Sequence, residues 1–174
     1  GTAAVGYTDL LPAPGFDPAH VRPRDLWATC ASQIFAPVSP EMHEEFELRH
    51  ERRFLERFGQ VCYGCCEPLH KKVGILARNL PNLRRIAVTP WADIDEAAAG
   101  IQDRFVYSWR PNPAIVAGAT WDPAAARRQV RDFLGRTREC RREIILKDMM
   151  TCANEPRRLT EWAALIKEEV EAFE

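Results

Sequence analysis

The sequence predicts an α/β protein built from parallel strand–helix repeats. Short apolar runs rich in β-branched and aromatic residues fall at 26–35, 60–65, 83–90, 104–109 and 143–147. Amphipathic segments with helical periodicity lie between them and after the last. Strand–helix order repeated about four and a half times calls for parallel strands joined by right-handed crossovers, with helices covering the sheet. Four or five strands suit an open doubly wound sheet or part of a closed (β/α)8 barrel. A whole barrel usually takes about 250 residues, more than the 174 of this chain.

Each helix carries its own start signal. Residues 1–24 are rich in Gly, Pro and Ala and lack periodicity, so they read as an extended lead-in or loop. The repeats then occupy 25–174. In 39–59, Ser39 is the N-cap, Pro40 sits in the first turn and Gly59 is the stop. Met42, Phe46, Phe54 and Phe58 are expected on its buried side. Asp122 and Pro123 repeat the device before a helix that buries Val130, Phe133 and Leu134. The last helix, from about Pro156, carries a stripe of Leu159, Trp162, Ala163, Ile166, Val170 and Phe173. Weaker helices cover "DIDEAAAGIQD" and "LHKKVGILARN".

Composition narrows the function classes. The chain has 24 basic and 25 acidic residues, which gives no electrostatic footprint for nucleic acid. Arginine pairs such as Arg84–Arg85, Arg127–Arg128 and Arg157–Arg158 are scattered among acids and read as solvated helix faces. No apolar run approaches the ~18 residues that span a membrane. The six cysteines are irregularly spaced, which fits free or metal-bound thiols in a reducing, cytoplasmic setting better than a disulfide framework. Glycine-rich phosphate loops, G-x-S-x-G and H-E-x-x-H are absent.

Ligands of parallel α/β folds gather at the carboxyl ends of the strands. That rule selects Gln33 after the first run and Cys65, Cys66 and Glu67 after the second. It adds Trp91 and Asp93 after the third, Trp109, Arg110 and Asn112 after the fourth, and Asp148 to Cys152 after the fifth. Gln33, Trp91, Asp93, Trp109, Arg110 and Asn112 are the substrate-binding candidates. Asp148 and Glu67 are the acid–base candidates, with Asp148 equally readable as a helix cap. Cys65 and Cys66 precede what looks like a helix opening at Glu67-Pro68, where a helix dipole favours thiolates. With His70 and Cys152 they are candidate zinc ligands, against the plainer reading of small core residues and a solvated histidine. Cys62-Tyr-Gly-Cys65 also has redox C-x-x-C spacing, but Cys62 lies inside the apolar run and is expected to be buried, unbridged and directed away from the Cys65 site.

The stretches "QVCYGCCEPLHKK", "LRRIAVTPWADIDEAA", "FVYSWRPNPAIVAG" and "IILKDMMTCANEPRRLTEWAALIKEEVE" together resemble the uroporphyrinogen decarboxylase superfamily, in its decarboxylase-like branch grouped with cobalamin-dependent methyltransferases. The resemblance runs from about Asp25 to the end and implies the C-terminal half of a (β/α)8 barrel of the TIM type. In the methyltransferase branch a zinc held by a His-x-Cys pair and a late cysteine activates a thiol toward methyl-corrinoid carried by a partner protein. The first cysteine matches Cys65, the late one Cys152, and the motif histidine falls on Tyr63, leaving His70, Glu67 or Cys66 to complete the site. The metal-free decarboxylase branch instead implies a lyase-type barrel that recognises a tetrapyrrole or polycarboxylate, with Arg110 and Trp109 in the pocket. Both readings imply partnership with an N-terminal half or a second copy, and a half barrel is expected to expose an apolar sheet face.

Overall fold

The computed structural model describes the backbone of residues 2–4 and residues 17–173 in full. Strands β1 (Thr2–Ala4), β2 (Trp27–Cys30), β3 (Gln60–Tyr63), β4 (Leu83–Val88), β5 (Val106–Trp109) and β6 (Arg141–Ile144) form one sheet in sequence order. β2 to β6 pair in parallel, each with its sequence neighbour, as βα repeats require. β1 joins β2 antiparallel, pairing Thr2 with Cys30. An antiparallel strand thus occupies the edge where a barrel would continue with a parallel one. The rest of the 1–24 lead-in includes residues 5–16, which lie outside the described residues.

Strand register sorts the side chains into two faces. Cys30, Tyr63, Ile86 and Tyr107 are successive cross-strand partners, so they share one face. The helices pack there. Phe133 of α6 (Pro123–Arg136) stacks on Trp109 at 4.3 Å between ring centroids and meets Tyr107 edge-on at 5.4 Å. Such contacts add roughly 0.5–1.5 kcal/mol beyond the area they bury. The opposite row runs Thr29, Cys62, Arg85, Val106 and Arg141, followed toward the strand ends by Ala87, Ser108 and Glu143.

That second face is not the apolar surface expected of a half barrel. Arg85 reaches diagonally over β5 to Glu143 (2.9 Å), its guanidinium lies over the Trp27 ring, and Ser108 beneath is fully buried. The Arg85–Glu143 pair makes this face polar, and the scattered-arginine reading fails here because Arg85 is only 8% exposed.

The helices begin where their caps predict. Ser39, Asp93 and Asp122 each accept a backbone N–H in the first turn of α1 (Pro40–His43), α4 (Ile94–Ile101) and α6. Between α1 and α2 (Arg49–Leu55) the chain makes a π-helical turn, Glu44–Leu48. The extra residue per turn rotates the buried stripe. His43, Leu48 and Leu55 go inside, whereas the expected Met42, Phe46 and Phe54 are exposed and Phe58 alone of that set is buried.

The inward polar residues of this helix make a network under β2 and β3. Tyr63 donates its hydroxyl proton to Glu51 (2.9 Å), lies 2.5 Å from Ser32 Oγ and 2.9 Å from His43 Nε2. Because the phenol has one proton and gives it to Glu51, His43 donates from Nε2. Burial pushes the His43 imidazole down to about 4, with Lys72 nearby acting the same way and Glu67 opposing. The unfolded chain therefore takes up this proton first as pH falls. Stability contributed by neutral His43 is complete above about 6.5 and drains away as pH falls from there toward about 4. A loss on the order of 2 kcal/mol is expected across that window. Urea denaturation at pH 7 and pH 4.5 checks it: His43→Gln should lose clearly less stability between the two than the parent chain does.

The last helix, α7 (Arg157–Phe173), packs Trp162, Ile166, Val170 and Phe173 of the expected stripe against the core and adds two charged residues to it. Arg158, Trp162, Leu165 and Glu169 are buried, while Leu159 and Ala163 are exposed. Arg158 donates to the carbonyls of Val116 (3.1 Å) and Gly118 (2.6 Å) and pairs with Glu155 (2.7 Å). Glu169 accepts from Arg127 and from Arg131 of α6. Ion pairs and carbonyl contacts, rather than an apolar stripe alone, dock this helix.

Candidate functional site

β3 runs into the site through Gly64. Its φ of +101° is left-handed, and a Cβ there would lie 2.5 Å from Leu69 Cδ1 and 3.2 Å from Ala87. Only glycine suits both the dihedral and the space. The turn breaks strand alternation, so Cys65 comes round to the same cavity as Cys62. This corrects the expectation that the two point apart, although Cys62 is buried and unbridged as expected. Gly64→Ala should cost about 1–3 kcal/mol and displace the 65–67 turn. Thermal denaturation, together with altered labelling rates of Cys65 and Cys66 by a thiol reagent, measures both effects.

Two cavities meet at the strand ends. One, about 320 Å³, is lined by Thr29, Cys62, Cys65, Arg85, Arg110 and Lys147 among others. The second, about 220 Å³, shares Cys65, Arg110 and Lys147 and adds Cys66, Thr89, Trp91, Asn112 and Asp148. Lys147 donates to Cys65 Sγ at 2.8 Å, and its Nζ is 3.6 Å from Asp148 Oδ2. The Cys65 and Cys66 sulfurs are 3.5 Å apart, and Cys66 donates to Asp148 Oδ2 at 3.4 Å. Burial lowers the Lys147 pKa, but the Cys65 thiol and then the Asp148 carboxylate together outweigh it, so the net shift is upward. Arg110 Nε and Thr89 Oγ1 are buried without a hydrogen-bond partner among the described residues. A guanidinium N–H and a hydroxyl are therefore left for a ligand or solvent at this rim.

The structure gathers some of the sequence candidates and disperses others. Cys65, Cys66, Asp148, Arg110, Asn112 and Trp91 converge, with Trp91 69% exposed and Asn112 also holding the Ala114 N–H. Trp109 faces the opposite way, into the helix layer against Phe133. Glu67 is buried, and its two oxygens accept the Ser32 and Cys65 N–H groups, so it ties two loops together instead of serving as an acid–base group. Asp93 caps α4, and Gln33 is exposed in a single 3-10 turn; neither lines these cavities. Lys147, Arg85 and Cys62 were missed as site residues. The alternation Glu143, Ile145, Lys147 along the last run would have found the lysine.

The zinc donor set does not assemble. His70 is turned toward Glu96 on α4 (3.8 Å), and Cys152 lines neither cavity. The segment after Cys66 is not helical until His70–Lys72, so the cysteines do not sit at a helix N-terminus. Among the described residues no group of three His, Cys, Asp or Glu is placed to hold a metal ion, and the Lys147 ammonium stands against Cys65 where a metal cation would.

No family model, curated protein or solved structure matches the chain. Among the described residues no helix is long and apolar enough to cross a membrane.

Proposed function

We propose that the chain is the C-terminal part of a (β/α)8 barrel of the uroporphyrinogen decarboxylase type, and that its strand-end rim binds a carboxylate-bearing small molecule without a metal. The observation that carries this reading is the pair of cations Arg110 and Lys147, which line both rim cavities, with Arg110 Nε unpaired. A planar guanidinium suits a carboxylate in bidentate fashion, and the ammonium supplies a second, flexible donor. The larger cavity is at the lower end of the ~300–1,000 Å³ typical of ligand sites. It suits a small polycarboxylate or one carboxylate arm of a larger tetrapyrrole. The sequential parallel order from β2 to β6 supports a barrel of this type, completed by further strands.

Asp148 places a carboxylate beside both thiol and lysine, a group able to exchange a proton with a bound substrate. The completed barrel would supply the remaining groups. Calorimetric titration with citrate, paired with metal analysis of the purified chain, tests the reading. Saturable binding by metal-free protein is expected. Stoichiometric zinc whose removal abolishes binding would instead favour corrinoid-linked methyl transfer to a zinc-activated thiol, a reading whose support is the 3.5 Å approach of the Cys65 and Cys66 sulfurs.

A further inference from the structure

We propose that Cys65 and Cys66 form a peroxide-sensitive modification site, at which the two neighbouring thiols are oxidised to a reversible vicinal disulfide.

Three placements carry the inference. The sulfurs are already 3.5 Å apart, so rotation about χ together with a local adjustment of the 65–66 backbone brings them to bonding distance. The Lys147 ammonium donates to Cys65 Sγ at 2.8 Å, which puts the counter-charge of a sulfur anion in contact with the attacking atom. On the other side Asp148 Oδ2 accepts from Cys66 at 3.4 Å, which puts a proton acceptor on the second thiol. Access is open: Cys66 is exposed, Cys65 is half-buried, and both line a cavity that meets solvent. The backbone at 64–67 is a bend outside any helix or strand, so closing the ring breaks no ladder.

The chemistry balances with hydrogen peroxide as the oxidant. The Cys65 sulfur, its proton given up to solvent, attacks one peroxide oxygen and the O–O bond breaks. The departing hydroxide takes up a proton to become water, and Cys65 is left as the sulfenic acid. Cys66 passes its proton to Asp148, and its sulfur attacks Cys65. An S–S bond forms, the S–O bond breaks, and the departing hydroxide takes that proton back from Asp148 and leaves as a second water. Two thiols and one peroxide thus become one disulfide and two waters.

Burial, with the adjoining Cys65 and Asp148, pushes the Cys66 thiol up to about 12. The Lys147 ammonium touches Cys65 Sγ while Cys66 faces Asp148, which assigns attack to Cys65 and resolution to Cys66. Adjacent Cα atoms are about 3.8 Å apart, less than the usual ~4.4–6.8 Å of bridged cysteines. The bond is therefore of the reducible, switch-like kind.

The test is intact-mass and peptide mass spectrometry of the whole chain after brief treatment with stoichiometric hydrogen peroxide. The expected product has lost two hydrogens in the peptide holding Cys65 and Cys66, and dithiothreitol restores the parent mass. Cys66→Ser should stop at a sulfenic acid on Cys65 that dimedone captures, whereas Cys65→Ser should give no dimedone adduct at Cys66. A bridge from Cys62 to Cys65, a first adduct on Cys66, or thiols that survive treatment unchanged would each overturn the proposal. The parent-chain measurement needs no variant to fold, and it is independent of citrate binding, so failure of the anion reading leaves this result standing.

Discussion

Arg158→Met is expected to destabilise the chain by about 3–5 kcal/mol, a fall in Tm of roughly 10 °C or more. The guanidinium is 2% exposed, so the loss is not that of a solvated surface charge. It removes the donors that satisfy the Val116 and Gly118 carbonyls and leaves Glu155 without its inner partner. Methionine restores apolar volume but no N–H group, and unsatisfied acceptors keep their desolvation cost. Arg157 is the internal control. It shares Glu155 but is exposed, and Arg157→Met should leave stability nearly unchanged. Parallel thermal and urea denaturation of the two variants measures the contrast; equal effects would show that α7 docks by its apolar residues alone.

The largest effect on ligand binding is expected at Arg110. Truncating one partner of a hydrogen-bonded charge pair costs about 2–5 kcal/mol, so Arg110→Met should weaken citrate binding at least 30-fold. Lys147→Met should weaken it less, because the ammonium is also engaged with Cys65 and Asp148 in the free protein. Arg110→Lys keeps the charge but loses the planar fork, and should recover only part of the affinity. Full recovery would mean that the rim attracts anions by charge alone. Both positions lie at strand ends with their side chains at a cavity, so far-UV circular dichroism should be unchanged in all three variants.

The sequence foretold more of the sheet than of the site. Strand–helix alternation is a local signal, and β3, β4 and β5 fall within the apolar runs that announce them. β6 begins two residues before its run because Arg141 and Arg142 pair with Val106 and Tyr107 despite their charge. Trp109 was misplaced because the strand reaches one residue further than a rim position requires. Its alternation with Tyr107 puts it on the helix face. Cys65 was legible as a rim residue, but its partner was not. The counter-charge comes from Lys147, distant in sequence, instead of a helix following Glu67. Arg158 illustrates the same limit, since the carbonyls that bury it belong to the α5 (Ala114–Ala117) segment and the loop after it. The rotated stripe of 40–55 depends on a π-helical turn that apolar periodicity cannot reveal.

Backbone amide NMR of the metal-free chain titrated with citrate tests the central claim most directly. Saturating shifts are expected at Cys65, Cys66, Arg110 and Lys147, with residues of the helix layer such as Phe133 and Leu165 unmoved. Saturating shifts confined to the helix layer, or none at the strand ends, would contradict a metal-free carboxylate site at this rim.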